Sequence, residues 1–172
     1  MDIKEAIEKR TSIRKYQKKP VDRELVENLL YYANLAPSAG NLQARDFIIV
    51  DDEDIKEKLA IAAYNQEFIK EAPIVVVFCA NLERISPYGK RGKKFYCLQD
   101  VAAAIQNFLL VATAEGLATC WVGAFNDDSV AKILNLPPHI KPIAIVPVGY
   151  AGEEPIKTDR LDIKELIHYN KW

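Results

Sequence analysis

Residues 73–80 read Pro-Ile-Val-Val-Val-Phe-Cys-Ala, the strongest strand pattern in the chain. A strand that is apolar at every position has no face to offer water. It belongs in the middle of a sheet covered on both sides, and that demand constrains everything around it. The remaining apolar residues have to supply the cover. Leu98, Val101, Ala102, Ile105, Phe108, Leu109 and Ala112 form one stripe at helical spacing and predict a long helix over 96–116. Ala103, Ala104 and Val111 widen the stripe toward burial all round. Such a helix is central to the core or shared with a partner subunit. Gly116 ends it, as a glycine just past the last turn commonly does.

Shorter helices are predicted over 2–9, from Asp22 to Ala36 with Asp22 as N-cap, over 54–63 after the Asp51–Asp54 acidic run, and from Asp127 or Asp128 to Leu134. Tyr64 to Glu71 reads as a helical continuation up to Pro73. Phe47–Val50, Thr119–Val122 and Pro142–Tyr150 read as strands, with Pro142 and Pro147 suggesting bulges or an edge. Residues 83–95 hold Pro87, Gly89, Gly92 and five cations, which predicts an exposed, flexible loop. The tail carries a short helical pattern at 162–168. This order predicts an α+β sandwich, one small sheet between helices, in a single domain spanning 1–172.

Charge and cysteine content exclude several functions. Lys and Arg number 23 against 24 Asp and Glu, so no overall field draws the chain to nucleic acid or an anionic membrane. The three cysteines, Cys79, Cys97 and Cys120, are odd in number and lack C-x-x-C spacing, which predicts free thiols in a reducing cytoplasm. The two histidines, His139 and His168, lack metal-ligand spacing, so no metal site is expected. The N-terminus carries no apolar signal segment, and the apolar stretches fall short of a membrane span. G-x-S-x-G, the P-loop pattern and G-x-G-x-x-G after a strand are all missing.

What remains are polar clusters. Arg10, Ser12 and Arg14 stand in Arg-Thr-Ser-Ile-Arg, where two guanidinium forks flank a hydroxyl. Such a pattern suits phosphate oxygens, although two arginines at a helix end also read as solvated charges. Pro37, Ser38, Asn41 and Gln43 lie in an irregular loop, where they could equally satisfy a turn. Gly123 follows an apolar run, Lys157 and Arg160 mark the tail, and Asn65 stands by itself.

Taken together and in order, RTSIRKY, APSAGNLQ, EAPIVVVFCA, LQDVAAAIQNFLLVATAEGLATCWVGAF and PVGYAGEEPIKTDR resemble the nitroreductase-like flavoproteins. The resemblance runs from about residue 3 to Trp172. It implies a small, mostly antiparallel sheet flanked by helices in an intertwined homodimer, with FMN at each subunit interface. It also implies that Arg10, Ser12 and Arg160 hold the FMN phosphate, and that Arg14 lies near the phosphate or the N1–C2 edge of the ring. Asn65 matches an asparagine that bonds the ring's pyrimidine edge. Pro37, Ser38 and Asn41, with Gln43 in the same motif, would reach the cofactor from the other subunit. Val122, Gly123 and Ala124 would lie along the ring, a backbone N–H facing N5 or O4.

Three departures stand out. Ala44 and Arg45 replace the usual Pro and aromatic after Gln43; Phe68 sits where some members carry lysine; Lys157 is one position out of step with the usual partner of Arg160. The implied activity is ping-pong hydride transfer from NADH or NADPH through flavin N5 to a small acceptor such as a nitroaromatic or quinone, with no catalytic side chain required. The alternatives are an FMN-sequestering module without turnover, or a specialised relative that dehalogenates or fragments flavin.

Overall fold

In the computed structural model, which describes residues 1–172, the first half of the chain runs through α1 (Ile3–Lys9), α2 (Arg23–Asn34), β1 (Arg45–Val50), α3 (Glu53–Ala62), α4 (Phe68–Glu71) and β2 (Ile74–Asn81). The second half holds α5 (Gly89–Arg91), α6 (Cys97–Ala114), β3 (Ala118–Thr119), α7 (Asp127–Ile133) and β4 (Ile140–Gly149). The sheet order is β1-β2-β4-β3, and every pairing is antiparallel.

All eight residues of β2 are buried, as a strand with no polar face requires. Its side chains alternate between two cores. Ile74, Val76, Phe78 and Ala80 pack with α2 and α6, through Val26, Leu29, Val101, Ala104, Ile105 and Phe108. Val75, Val77 and Cys79 pack on the opposite face with Leu59 and Ala60 of α3, Ile69 of α4 and Val130 of α7. The sheet therefore lies between two helical layers. Phe78 is the pivot of the first core, edge-on to both Phe47 and Phe108 with ring centroids 5.3 Å apart in each case. Burying such a ring contributes about 1.5–3 kcal/mol.

The helix ends follow their sequence signals. Asp22 caps α2 by accepting from the Glu24 N–H, and Asp52 caps α3 by accepting from Ile55. After α6, Gly116 takes φ +75°, and the Leu117 N–H reaches back to the Ala112 carbonyl at 2.8 Å. That is the bond a left-handed glycine makes possible at a helix C-terminus.

Several expectations need correction. Residues 83–95 are not a loop. A 3₁₀ turn at Ser86–Tyr88, α5 and a π-helical turn at Gly92–Tyr96 lead straight into α6. Gly92 permits this, because a Cβ there would stand 2.9 Å from the Ile85 carbonyl oxygen. The resulting helical run, Ser86–Ala114, is long and apolar enough by length and composition to cross a membrane. Its buried residues instead pack onto the sheet. The helical continuation read over 64–71 breaks at Tyr64 and Asn65, both left-handed (φ 59° and 61°), before α4 resumes. The N-cap of α7 is Asn126, which accepts from the Ser129 N–H, rather than either aspartate. β4 is not an edge strand. It lies between β2 and β3, with a register shift beside Pro142 that leaves Ile143 unpaired opposite Phe78 and Cys79, while Pro147 pairs in regular register with Val75.

Candidate functional site

The segment from Thr11 to Gln17 forms no element of its own. It borrows hydrogen bonds from β3 and from the chain that follows β4. The Ile13 N–H donates to the Thr119 carbonyl at 3.0 Å. The Gln17 N–H donates to the Tyr150 carbonyl at 2.9 Å, and the Gly152 N–H to the Lys15 carbonyl at 2.7 Å. Farther along, the Thr11 hydroxyl donates to the Ile156 carbonyl at 3.1 Å, and the Arg14 N–H to a Glu153 carboxylate oxygen at 2.7 Å. The two ribbons run so close that a Cβ on Gly152 would stand 2.9 Å from the Tyr16 backbone. In this way residues 10–14 and 157–160 meet.

Between them lies a cavity of about 770 Å³. Arg10, Ser12, Arg14, Lys157 and Arg160 line it together with Trp121. The cavity wall contains four cations and one carboxylate, Glu8. None of the four cations forms an ion pair within the chain. Arg160 donates only to the carbonyls of Thr158 and Asp159 and to the Thr158 hydroxyl. Four unpaired cations around one cavity, with hydroxyls of Thr11, Ser12 and Thr158 among them, form a donor set suited to a phosphate dianion.

Asn65, Val122, Gly123 and Ala124 do not line this cavity, although Val122–Ala124 follow directly on its lining residue Trp121, where the backbone offers two further donors. Val122 exchanges both of its backbone hydrogen bonds with Ile145 (2.9 and 3.0 Å). The N–H groups of Gly123 and Ala124, just beyond, have no acceptor in the chain. The Asn65 turn is tied to the same place, because the Gln66 amide donates to the carbonyls of Ala63 (2.9 Å) and Ala124 (3.0 Å). Left-handed non-glycine residues cost of order 1–3 kcal/mol each and persist only where surrounding contacts hold them. Arg14 lies over the Phe68 ring, 5.9 Å from its centroid. The aromatic that departs from the family pattern thus supports the cation instead of repelling it.

Cys120 lies beneath this region. Burial pushes its thiol up, opposed by Arg14, by a hydrogen bond with Ser12 and by Arg10. Burial pushes the Cys79 thiol up to about 12. Neither is a thiolate nucleophile at neutral pH.

Pro37, Ser38, Asn41 and Gln43 line no part of the cationic cavity. Pro37 and Ser38 stand instead in a separate groove of about 510 Å³, facing Tyr88 and Tyr96. Their loop is closed by its own bonds: the Gln43 N–H donates to the Ser38 hydroxyl at 3.0 Å, and the Gln43 amide to the Asn41 carbonyl at 2.6 Å. Gly40, Asn41 and Gln43 are all left-handed (φ 56°, 54° and 47°). One chain therefore holds the two halves of the expected site apart.

Sequence reasoning missed Trp121, Thr11 and Thr158 as lining residues, and Gln66 and Phe68 as supports. Trp121 precedes Val122 and Gly123 directly, and that adjacency is the signal in the sequence that could have found it; in the fold it is 38% exposed.

An antiparallel sheet between helical layers thus carries a cavity of unpaired cations with the chemistry to suit a phosphate-bearing ligand. The nitroreductase family model matches residues 7–66 and 60–150, and the chain belongs to that family. A Methanothermobacter thermautotrophicus protein described as a candidate NADH dehydrogenase/NAD(P)H nitroreductase is 33% identical over 178 residues, covering 100% of this chain and 88% of its own. The FMN reductase (NADPH) of Bacillus subtilis is 29% identical, covering 98% of this chain and 73% of that protein. The solved structure of the NfrA1 nitroreductase from B. subtilis superposes with a TM-score of 0.91 at 27% identity, over 99% of this chain and 74% of that one.

Proposed function

We propose that this chain is an FMN-dependent NAD(P)H oxidoreductase of small acceptors such as nitroaromatics and quinones. The observation that carries the reading is the clamp itself: Arg10, Arg14, Lys157 and Arg160 in one cavity with no partners among the chain's own carboxylates. The names of the relatives point the same way.

When bound, FMN supplies a ring that takes hydride from reduced nicotinamide and passes it to an acceptor. The chain supplies the setting. Arg10, Ser12 and Arg160 bind the phosphate, with Lys157 adding charge beside them. Arg14, steadied on Phe68, places positive potential at the ring's pyrimidine edge and favours the anionic reduced ring. Asn65 orients that edge. The free N–H groups of Gly123 and Ala124 donate toward the ring. Trp121 covers the cavity wall.

The working unit is a homodimer. Pro37, Ser38, Asn41 and Gln43 serve the flavin held by the other subunit, which accounts for their separation from the clamp. The tail supports this, because Ile156, Tyr169 and Trp172 are 81%, 84% and 100% exposed with nothing in the chain to cover them. The 172 residues form one domain. Three buried cysteines without a disulfide suit a reducing cytoplasmic setting.

The test is an absorbance spectrum of the purified protein with and without added FMN, followed by anaerobic addition of NADH and NADPH separately. A yellow protein bleached by one of them, then reoxidised by menadione or a nitrofuran, is expected. A colourless protein that gains no flavin absorbance would overturn the reading. Bound FMN without turnover would leave a binding module in its place.

A further inference from the structure

We propose that Arg45 and Asp100 are positioning residues, a buried pair that fixes where Ser38 and Asn41 stand. The inference rests on the assignment of residues 37–43 to a flavin-facing role.

Arg45 is 3% exposed and Asp100 4%. The Arg45 guanidinium donates to the Asn34 side chain (3.1 Å) and to the carbonyls of Asn34 (2.8 Å), Ala36 (2.7 Å), Pro37 (3.4 Å) and Asp100 (3.0 Å). A helix C-terminus leaves carbonyls without partners, and one side chain gathers those at the end of α2. The guanidinium is planar and rigid, so binding it fixes the path of the backbone from α2 into the loop. Its pKa is drawn down by burial, and the charge of Asp100 opposes that fall.

Asp100 holds the next residue along. One carboxylate oxygen accepts from the Ala39 N–H at 2.9 Å. The other oxygen is the one buried side-chain polar atom in the chain that has no hydrogen-bond partner. A buried polar group in that condition is unfavourable for stability and calls for an explanation. No ion pair supplies one, because the Arg45 guanidinium reaches the Asp100 backbone carbonyl and not its carboxylate. Apart from that bond and one to the Asn34 side chain, the bonds run to one stretch of backbone, residues 34–39, immediately before the left-handed turn at Gly40 and Asn41.

The far side of the turn is held as well. Arg84 donates to the carbonyls of Gln43 (2.7 Å) and Arg45 (2.8 Å). The loop is therefore clamped before and after its strained residues, and neither Arg45 nor Asp100 lines the cationic cavity. Their influence on a bound ring passes through the placement of Ser38 and Asn41.

The experiment compares wild type with Asp100→Asn and Arg45→Lys. Three quantities are read: the FMN dissociation constant, the visible spectrum of the bound flavin and the thermal midpoint. Asp100→Asn and Arg45→Lys are expected to raise the dissociation constant about 10- to 100-fold, the effect of a displaced positioning group, and to shift the flavin band. With binding measured well below each variant's own thermal midpoint, the shifted flavin band separates displacement of Ser38 and Asn41 from loss of folded protein. A merely structural pair would lower the thermal midpoint and leave the bound flavin's spectrum as in wild type, and that result overturns the inference. So does wild-type affinity with an unchanged spectrum in both single variants. A wild-type protein that takes up no FMN overturns the cofactor reading, and this inference with it.

Discussion

The clamp at residues 10–14 and 157–160 and the loop at residues 37–43 use arginine in opposite ways. Arg10 and Arg14 have no carboxylate partner and look into an open cavity. Arg45 is buried and every arm of its guanidinium is engaged with the protein's own acceptors. An unpaired cation near solvent is available to a ligand and contributes little to holding the fold. A buried, saturated cation offers nothing to a ligand and determines the shape around it. The difference separates binding from positioning within one chain.

The sharpest way to break that contrast is to remove each cation in turn. Arg45→Ala leaves four buried or part-buried carbonyls and the Asn34 side chain without their donor, and should cost about 3–5 kcal/mol of stability, read by urea denaturation of the flavin-free protein. Arg10→Ala should leave that denaturation curve within about 0.5 kcal/mol of wild type. It should instead weaken FMN binding by about 1.5–3 kcal/mol in a fluorescence titration. Equal losses of stability in the two variants would erase the distinction.

Smaller effects sharpen it. Gly40→Ala sets a Cβ 2.5 Å from the Tyr88 hydroxyl oxygen on a backbone at φ +56°. A loss of about 1–3 kcal/mol is expected, by thermal denaturation, from strain at a left-handed position. Raising salt should weaken FMN binding, because the clamp is open to solvent and screened over about 8 Å at physiological ionic strength. The flavin-free melting temperature should move little over the same range. In mixed dimers of Arg10→Ala with Ser38→Ala/Asn41→Ala, one of the two sites is assembled wholly from intact halves. Recovery of about half the FMN capacity of wild type in a flavin titration is expected if the halves act across the interface. No recovery would place both halves in the same subunit.

Much of the architecture was legible because its signals are local. The apolar run at 73–80 became the central strand β2, and the stripe from Leu98 to Ala112 became α6. Asp22 and Gly116 marked helix ends for reasons contained within a few residues. The clamp was legible in part, since Arg10, Ser12, Arg14 and Arg160 were flagged and share one cavity. What escaped depends on partners far along the chain. The break at Tyr64 and Asn65 carries no glycine or proline and is held by the Gln66–Ala124 bond. The glycines and cations of 83–95 read as a loop because nothing local shows that Gly92 lets the helix pass close to Ile85. Arg45 stood out as a departure after Gln43, but its role needs Asp100, 55 positions away.

The hydrogen bond between Thr11 and Ile156 joins residues 145 positions apart. At a synthesis rate of about 5–20 residues per second, the N-terminal arginines wait roughly 7–30 s before Lys157 and Arg160 are even made. A nascent chain stalled inside that interval can bury β2 and α6 yet lacks half the cations around the cavity. If the cavity holds flavin as proposed, a fragment abandoned before Lys157 would withdraw little of it.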